Sequence, residues 1–317
     1  MSSHFGNPLN EQRLLLEGKA YVERQDEVVL ELTGPTTLAW LHSMTSQNLI
    51  NLKPGDSAES LVLSPTGHIE HQLKVIATDV GALVITAAAH SEALVSWLSS
   101  MRFRHKIEIK VLDKRVFGCF KELDGRCWID RFGFDPVGSV RYAAEAKLFG
   151  YREYVLDAAP TDLQPAGMLA YEALRIAAGR PEISDIDERT LPHELDWLAT
   201  GVHLSKGCYR GQETVSKVHN LGHPPRRLIQ LNLEVGDTLA AKGESVYHRD
   251  REVGKILAGG LHFEDGSIAL ALVSRVTPFG DLTVANLSAS QTVVVPPDAG
   301  KVANLPRPSA FKLSGKK

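Results

Sequence analysis

The sequence predicts an α+β protein whose carboxy-terminal part is a small antiparallel β-barrel. Three observations carry this reading. Helical and strand-like segments alternate through the first two-thirds of the chain. From Leu228 onward only short strands occur, parted by turn signals such as Glu264-Asp265-Gly266. The chain has 317 residues, about twice the ~150 of a typical domain, so this change of texture near residue 225 is read as a domain boundary.

Residues 1–20 read as an amino-terminal arm. The run Val28 to Leu32 is strand-like and stops at Gly34-Pro35, and Pro35 opens a helix through Leu38, Trp40, Leu41 and Met44. Strand-like Ser60 to Leu63 and His68 to Ala77 flank Ser64-Pro65-Thr66-Gly67 and predict a hairpin. Leu83 to Thr86 is a further strand, and Ser91 is the expected cap of a helix through Trp97 and Leu98. Ile107, Ile109 and Val111 alternate with charged residues, as a half-exposed strand does. Short glycine-broken β segments fill 115–142, and Glu153 to Leu156 is another strand. The clearest helix runs from Ala166 to Ala178, with Leu169, Ala173 and Ile176 on one face and Gly179 as its stop. Arg180 to Leu221 reads as mostly irregular, a length of loop that is usually functional or disordered, and its place between a strong helix and further strands favours functional. Strands then recur at 228–233, 245–248, 253–261, 268–273, 282–285 and 292–295. The tail from Lys301 to Lys317 has five positive side chains, no negative ones and two prolines, a composition of disorder.

Composition narrows the function classes. With 35 basic and 38 acidic side chains the net charge is −3, which argues against capture of nucleic acid or membrane by bulk charge. Only Cys119, Cys127 and Cys208 occur, so a disulfide framework is excluded and a reducing compartment is indicated. No C-x-x-C pair offers ligands for a resident iron–sulfur cluster or zinc ribbon. The amino terminus has neither a basic segment nor an apolar core, and no apolar run approaches the ~18 residues of a membrane span. The expected location is cytoplasmic, with no membrane partner.

One stretch is far from generic: Lys206-Gly207-Cys208-Tyr209-Arg210-Gly211-Gln212-Glu213. Its glycines let the backbone turn sharply and approach a ligand. Lys206 and Arg210, each two residues from the cysteine, would favour the thiolate, while Gln212 and Glu213 add planar donors and acceptors. A buried structural cysteine on a glycine turn is the plain alternative. The stretch resembles the signature of the YgfZ-type folate-binding proteins, relatives of the glycine-cleavage T-protein (GcvT, aminomethyltransferase) and of a mitochondrial iron–sulfur assembly factor. The resemblance extends to Leu174 through Pro181, Asp185-Ile186-Asp187, Leu191 through Glu194, Leu32-Thr33-Gly34, Trp40-Leu41-His42, Thr45 through Asn48 and Val253 through Ile256. Residues 25–295 are thereby covered.

The resemblance implies a cloverleaf-like body of mixed sheets and helices over 21–224, in two intertwined lobes, with the barrel over 225–300 and the basic tail over 301–317. Tetrahydrofolate, or a one-carbon derivative, would sit in a central hole. The implied role is assembly or repair of iron–sulfur clusters in client enzymes, including a radical enzyme that modifies tRNA. Cys208 and Lys206 match the functional cysteine and lysine. The expected folate contacts are Tyr171 against the pterin face, Gln212 and Glu213 along its edge, and Arg175 on the anionic glutamate tail, with Asn48 and Tyr209 completing the set. For Tyr171 and Arg175 the plain alternatives are a core ring and a solvated cation.

The sequence departs from the aminomethyltransferase pattern in two places. The paired-aspartate position reads Gly67-His68-Ile69-Glu70-His71, keeping one carboxylate, and the acid expected to grip the pterin is replaced by Ala177. Folate-dependent aminomethyl transfer is therefore the second reading, and a non-catalytic module using the tail for weak RNA contact the third. His219-x-x-x-His223 has metal-pair spacing, but Gly222, Pro224 and Pro225 oppose a continuous helix there. His68 and His71 fall on a predicted strand, where their rings diverge.

Overall fold

A computed structural model describes residues 2–144, 147–234 and 239–303 of the chain. Three sheets organise it. The first has five strands in the order Ser57–Leu63, Ile69–Thr78, Gly81–Ala87, Glu27–Thr33 and Glu108–Leu112, all neighbours antiparallel. Side chains alternate across it, as the two-residue strand period requires. Leu30, Leu32, Leu73, Val75 and Val84 face the helices Thr37–Met44 and Ala88–Ser100, whereas Val29, Ile76, Leu83 and Ile85 meet Val116 and Trp128 of the second sheet. That second sheet orders Gln164–Ala166, Ala20–Glu23, Arg115–Cys119, Arg152–Leu156 and Cys127–Ile129, with one parallel pair.

The barrel closes from six strands, Arg226–Leu233, Gly266–Ser274, Arg251–His262, Ser245–His248, Leu282–Val284 and Leu287–Val293. Ile229, Leu231, Val246, Ile256, Ala271 and Val273 fill its interior. Leu228, Leu270 and Leu272 point outward into a core shared with Ile176, Leu195, Trp197 and Val215. Each such aliphatic side chain contributes roughly 1.5–3 kcal/mol on burial, so this outer face ties the barrel firmly to the body. The helix Met168–Ala177 lies on the barrel, where a Cβ at Gly260 would come within 3.2 Å of the Ala173 backbone.

Several expectations are corrected. Pro8–Leu16 within the amino-terminal arm is a helix, started by the Asn7 side chain accepting from Leu9 and Asn10 and by Pro8 at its first position. Ser91 does not cap its helix, which begins at Ala88; its hydroxyl bonds back to the Ala88 carbonyl. Leu169 is exposed while Ala170, Tyr171, Ala173, Leu174 and Ala177 are buried, because barrel and arm cover most of that helix. The 180–221 stretch holds a helix, Gln212–Leu221; Gly222 ends it, so Pro224 and Pro225 fall beyond it. His219 lies on that helix and His223 past its end, the first bonded to Tyr142 and the second to the Ala299 carbonyl. The tail beyond Ala303 lies outside the described residues.

Candidate functional site

The Lys206–Glu213 stretch forms a loop docked against the Ser64–Gly67 turn. Gly211 has φ 84° and Gly67 φ 83°, values that favour glycine. A Cβ on Gly211 would lie 2.6 Å from the Ser64 carbonyl, and one on Gly67 would lie 2.8 Å from Thr214 Cβ. The two glycines are thus required by close approach. Arg210 completes the docking with two bonds to Glu70, at 2.6 and 3.1 Å. Gln212 and Glu213 start the following helix; the Gln212 amide donates to the Lys206 carbonyl, and Glu213 is exposed in the first turn. Cys208 is exposed at the tip and Tyr209 is buried beneath it.

Lys206 is buried and does a different job from the one expected of it. Its ammonium donates to the carbonyls of His42 and Thr45 at the carboxy-terminal end of the helix Thr37–Met44, and lies 5.1 Å from the Tyr209 ring. A cation suits this end of a helix, while burial lowers the ammonium to about 8. With Lys206 on carbonyls and Arg210 on Glu70, both cations expected to activate the thiol have other partners. Lys206 is a clamp on the turn that follows Thr45. Replacing it by methionine strands two carbonyls, and a loss of roughly 1–3 kcal/mol is expected. Urea unfolding of Lys206→Met measures this, and an unchanged midpoint would exclude the clamp.

The clamped turn leads into a cavity of about 420 Å³, within the ~300–1,000 Å³ range of small-molecule sites. Ser46 and Gln47 are tied by bonds to Gly201, Leu61, Ser60 and Thr200, which fixes Asn48 at the wall. Ser57, Glu59 and Thr200 form the floor, and Arg131 and Asp135 stand at the exposed side. Two buried polar atoms lining it lack partners, Asn48 Oδ1 and His203 Nδ1. Buried polar atoms are rarely left so. With these two side chains and the exposed Arg131 along it, the wall carries polar groups and a cation that suit a polar heterocycle with an anionic tail.

Tyr171 and Arg175 stand elsewhere, deep in the core. The Tyr171 ring packs on Tyr151 and under the Arg24 guanidinium, and its hydroxyl donates to Glu182 at 2.5 Å. Arg175 is held by Asp185 at 2.7 and 3.1 Å and by Glu172. Its charge is therefore answered within the protein by two carboxylates. Both back a second, 120 Å³ cavity lined by Arg24, Glu27, Gln72, Lys74 and Glu182. A 2.5 Å bond from Gln72 to Glu59 joins the walls of the two cavities. Beside it His71 is buried with Nδ1 unpartnered, and burial, with the charges of His90 and Arg210, holds its imidazole down at about 4.

Sequence reasoning missed Glu59, Arg131, Thr200 and His203. For Glu59 a signal existed: a charged residue just before the apolar strand run Leu61-Val62-Leu63. His203 lies three residues before the motif, yet nothing in its neighbours marks a cavity wall.

No family model matches this sequence. Among curated proteins, the chain is 24% identical over 240 residues to the mitochondrial iron-sulfur cluster assembly factor IBA57 homolog of Coccidioides immitis, covering 67% of this chain and 56% of that protein. It therefore spans little more than half the length of that relative. It is 26% identical over 296 residues to the aminomethyltransferase of Thermotoga neapolitana, covering 82% of this chain and 79% of the relative. Among solved structures, the glycine cleavage system aminomethyltransferase T of Bartonella henselae superposes with a TM-score of 0.70 at 17% identity, covering 92% of this chain and 89% of that one. The chain thus has the aminomethyltransferase fold, a mixed α/β body closed by a six-stranded antiparallel barrel, and its sequence is similar both to aminomethyltransferases and to iron–sulfur cluster assembly factors.

Proposed function

We propose that this is a YgfZ-type, cytoplasmic tetrahydrofolate-binding protein that assists assembly or repair of iron–sulfur clusters in client enzymes, tRNA-modifying radical enzymes among them. The observation that carries the reading is the path from motif to cavity. Lys206 clamps the turn that presents Asn48, and the same loop holds Cys208 exposed at its tip. A folate would use the 420 Å³ cavity, its pterin edge on Asn48 and His203 and its glutamate near Arg131. Tyr209, Gln212 and Glu213 would shape the loop above it, and Tyr171 and Arg175 would act only from behind, through Glu182 and Asp185. Cys208 would meet the client side.

Titration calorimetry with tetrahydrofolate tests the binding. The wild type is expected to bind, and Asn48→Leu to bind at least ~10-fold more weakly, the worth of about 1.4 kcal/mol, with an unchanged melting temperature. Absence of binding by the wild type would end the folate reading. In a deletion strain, cluster-enzyme activities are expected to fall and to be restored by the wild type but not by Cys208→Ala. Full rescue by the alanine variant would remove the thiol from the mechanism.

The similarity to aminomethyltransferases supports a second reading, folate-dependent aminomethyl transfer. The carboxylate retained at the paired-aspartate position is Glu70, and it is committed to Arg210. Methylene-tetrahydrofolate formation from an aminomethyl donor is accordingly expected to be nil.

A further inference from the structure

Among the described residues, four of the six buried lysine and arginine side chains have carboxylate partners, and a fifth, Lys206, is held by two carbonyls. Arg24, Lys74, Arg175 and Arg180 each pair with at least two carboxylates. Arg227, on the first barrel strand, is fully buried at 0% exposure and makes no ion pair among the described residues. One of its nitrogens, Nη2, donates to the Thr277 carbonyl at 3.0 Å and to Gln291 at 3.2 Å. Its Nε and Nη1 are buried with no acceptor, and so is the hydroxyl of Thr277. An uncompensated buried charge is a heavy burden on a fold, of order several kcal/mol.

The cover over this cation is a strap, residues 275–281. Gln291 holds it by donating to the carbonyls of Pro278 and Gly280, and Arg275 by donating from its backbone to the Pro225 carbonyl. The Phe279 ring lies 5.5 Å from the Arg227 guanidinium, a weak electrostatic partner at that range. Yet Phe279 is 65% exposed and Val276 67%, so the strap turns its two large apolar side chains outward. A tethered strap, a buried cation without a carboxylate partner and an outward aromatic together describe a place suited to an anion.

We propose that Arg227, Thr277 and the strap 275–281 form a binding site for an oxyanion, a phosphate or carboxylate group admitted when the strap carrying Phe279 lifts from the guanidinium it buries. The guanidinium supplies charge and donors suited to a planar or tetrahedral oxyanion, and the Thr277 hydroxyl supplies one donor more. Nearby charge is balanced, since the strap carries both Arg275 and Asp281, so discrimination falls to Arg227. The site is separate from the 420 Å³ cavity and does not depend on folate.

The experiment follows thermal unfolding and the fluorescence of Phe279→Trp as inorganic phosphate is added at constant ionic strength, with acetate as a parallel arm. One arm or both is expected to give a saturable fluorescence change and a rise in melting temperature of about 2–4 °C. The arm that saturates at the lower concentration identifies the oxyanion class. In Phe279→Trp/Arg227→Met neither change is expected to saturate. Without added oxyanion, Arg227→Met alone is expected to melt at or above the wild-type temperature, because a charge without a partner is removed. No saturable response in either arm, or the same response in the Arg227→Met background, would overturn the site. A lower melting temperature of Arg227→Met in oxyanion-free buffer would do so too, since it would make Arg227 a mere tether for the strap.

Discussion

Arg24→Met is expected to destabilise the protein by about 3–5 kcal/mol, a large share of the roughly 5–15 kcal/mol that holds a typical native state. Arg24 is buried at the junction of the two five-stranded sheets. Its guanidinium bonds Glu153 at 2.8 Å, Glu182 at 2.9 Å and Asp26 at 2.8 and 3.0 Å, and covers the Tyr171 ring at 4.3 Å. Lys74 serves Glu27 and Glu153 in the same cluster. Acids remain in excess, and burial together with the charge of Glu27 pushes the Glu153 carboxyl up to about 8. Losing Arg24 leaves Glu182 without its nearest cation, in surroundings where an unpaired charge is far costlier than on the surface. Urea unfolding at pH 7 measures the loss. The double variant Arg24→Met/Glu182→Gln should recover part of it, because the stranded carboxylate is then neutral. An Arg24→Met loss below ~1 kcal/mol would mean that this network is balanced without it.

That cluster also marks the limit of what sequence could say. The barrel was legible because turn residues punctuate a series of short strand-like runs, in which Ile229 and Leu231 point in while Leu228 points out into a second core. The Lys206–Glu213 motif was legible from its composition, and one of its two glycines, Gly211, sits where backbones meet, against Ser64 and Gly67. Buried ion pairs carry no such local signal. Arg24 and Glu153 are far apart in the chain and look like solvated charges until folding joins them. The resemblance offers Tyr171 and Arg175 as folate contacts, and the same side-chain chemistry serves a buried hydroxyl–carboxylate bond and an ion pair. Lys206 was expected to act on the thiol from its place in the chain, whereas its acceptors lie more than 150 residues away. The helix Gln212–Leu221 was obscured by the prolines that follow it, which end beyond Gly222 and never enter its hydrogen-bonding.

Acidification from pH 7.5 to 5 is expected to destabilise the wild type by about 2 kcal/mol more than His193→Gln, through one imidazole. His193 is fully buried; Nε2 bonds the Val215 carbonyl at 3.0 Å and Nδ1 has no partner. Burial, aided by the charge of His219 and opposed by the Val215 bond, holds it at about 4. Its unfolded value is about 6.5, so the unfolded chain takes up a proton between those limits and the folded one does not. Its contribution is therefore complete above pH 6.5 and is lost as pH falls toward 4, at up to about 1.4 kcal/mol per unit. Asp196 works in the opposite direction: burial raises it to about 7, so its contribution is lost as pH rises from about 4 to 7. Asp196 and His71 are present in both proteins and cancel in the comparison, which urea midpoints at the two pH values provide. Equal pH dependence would show that His193 is not the proton acceptor. The position of this histidine gives the shift a functional reach. Val215 lies on the helix that Gln212 and Glu213 begin, and Tyr142, which bonds His219 of that helix at 2.8 Å, stacks on His193. The neutral imidazole thus belongs to the support of the loop that carries Cys208, and the protonation that acid drives acts on that loop through unfolding.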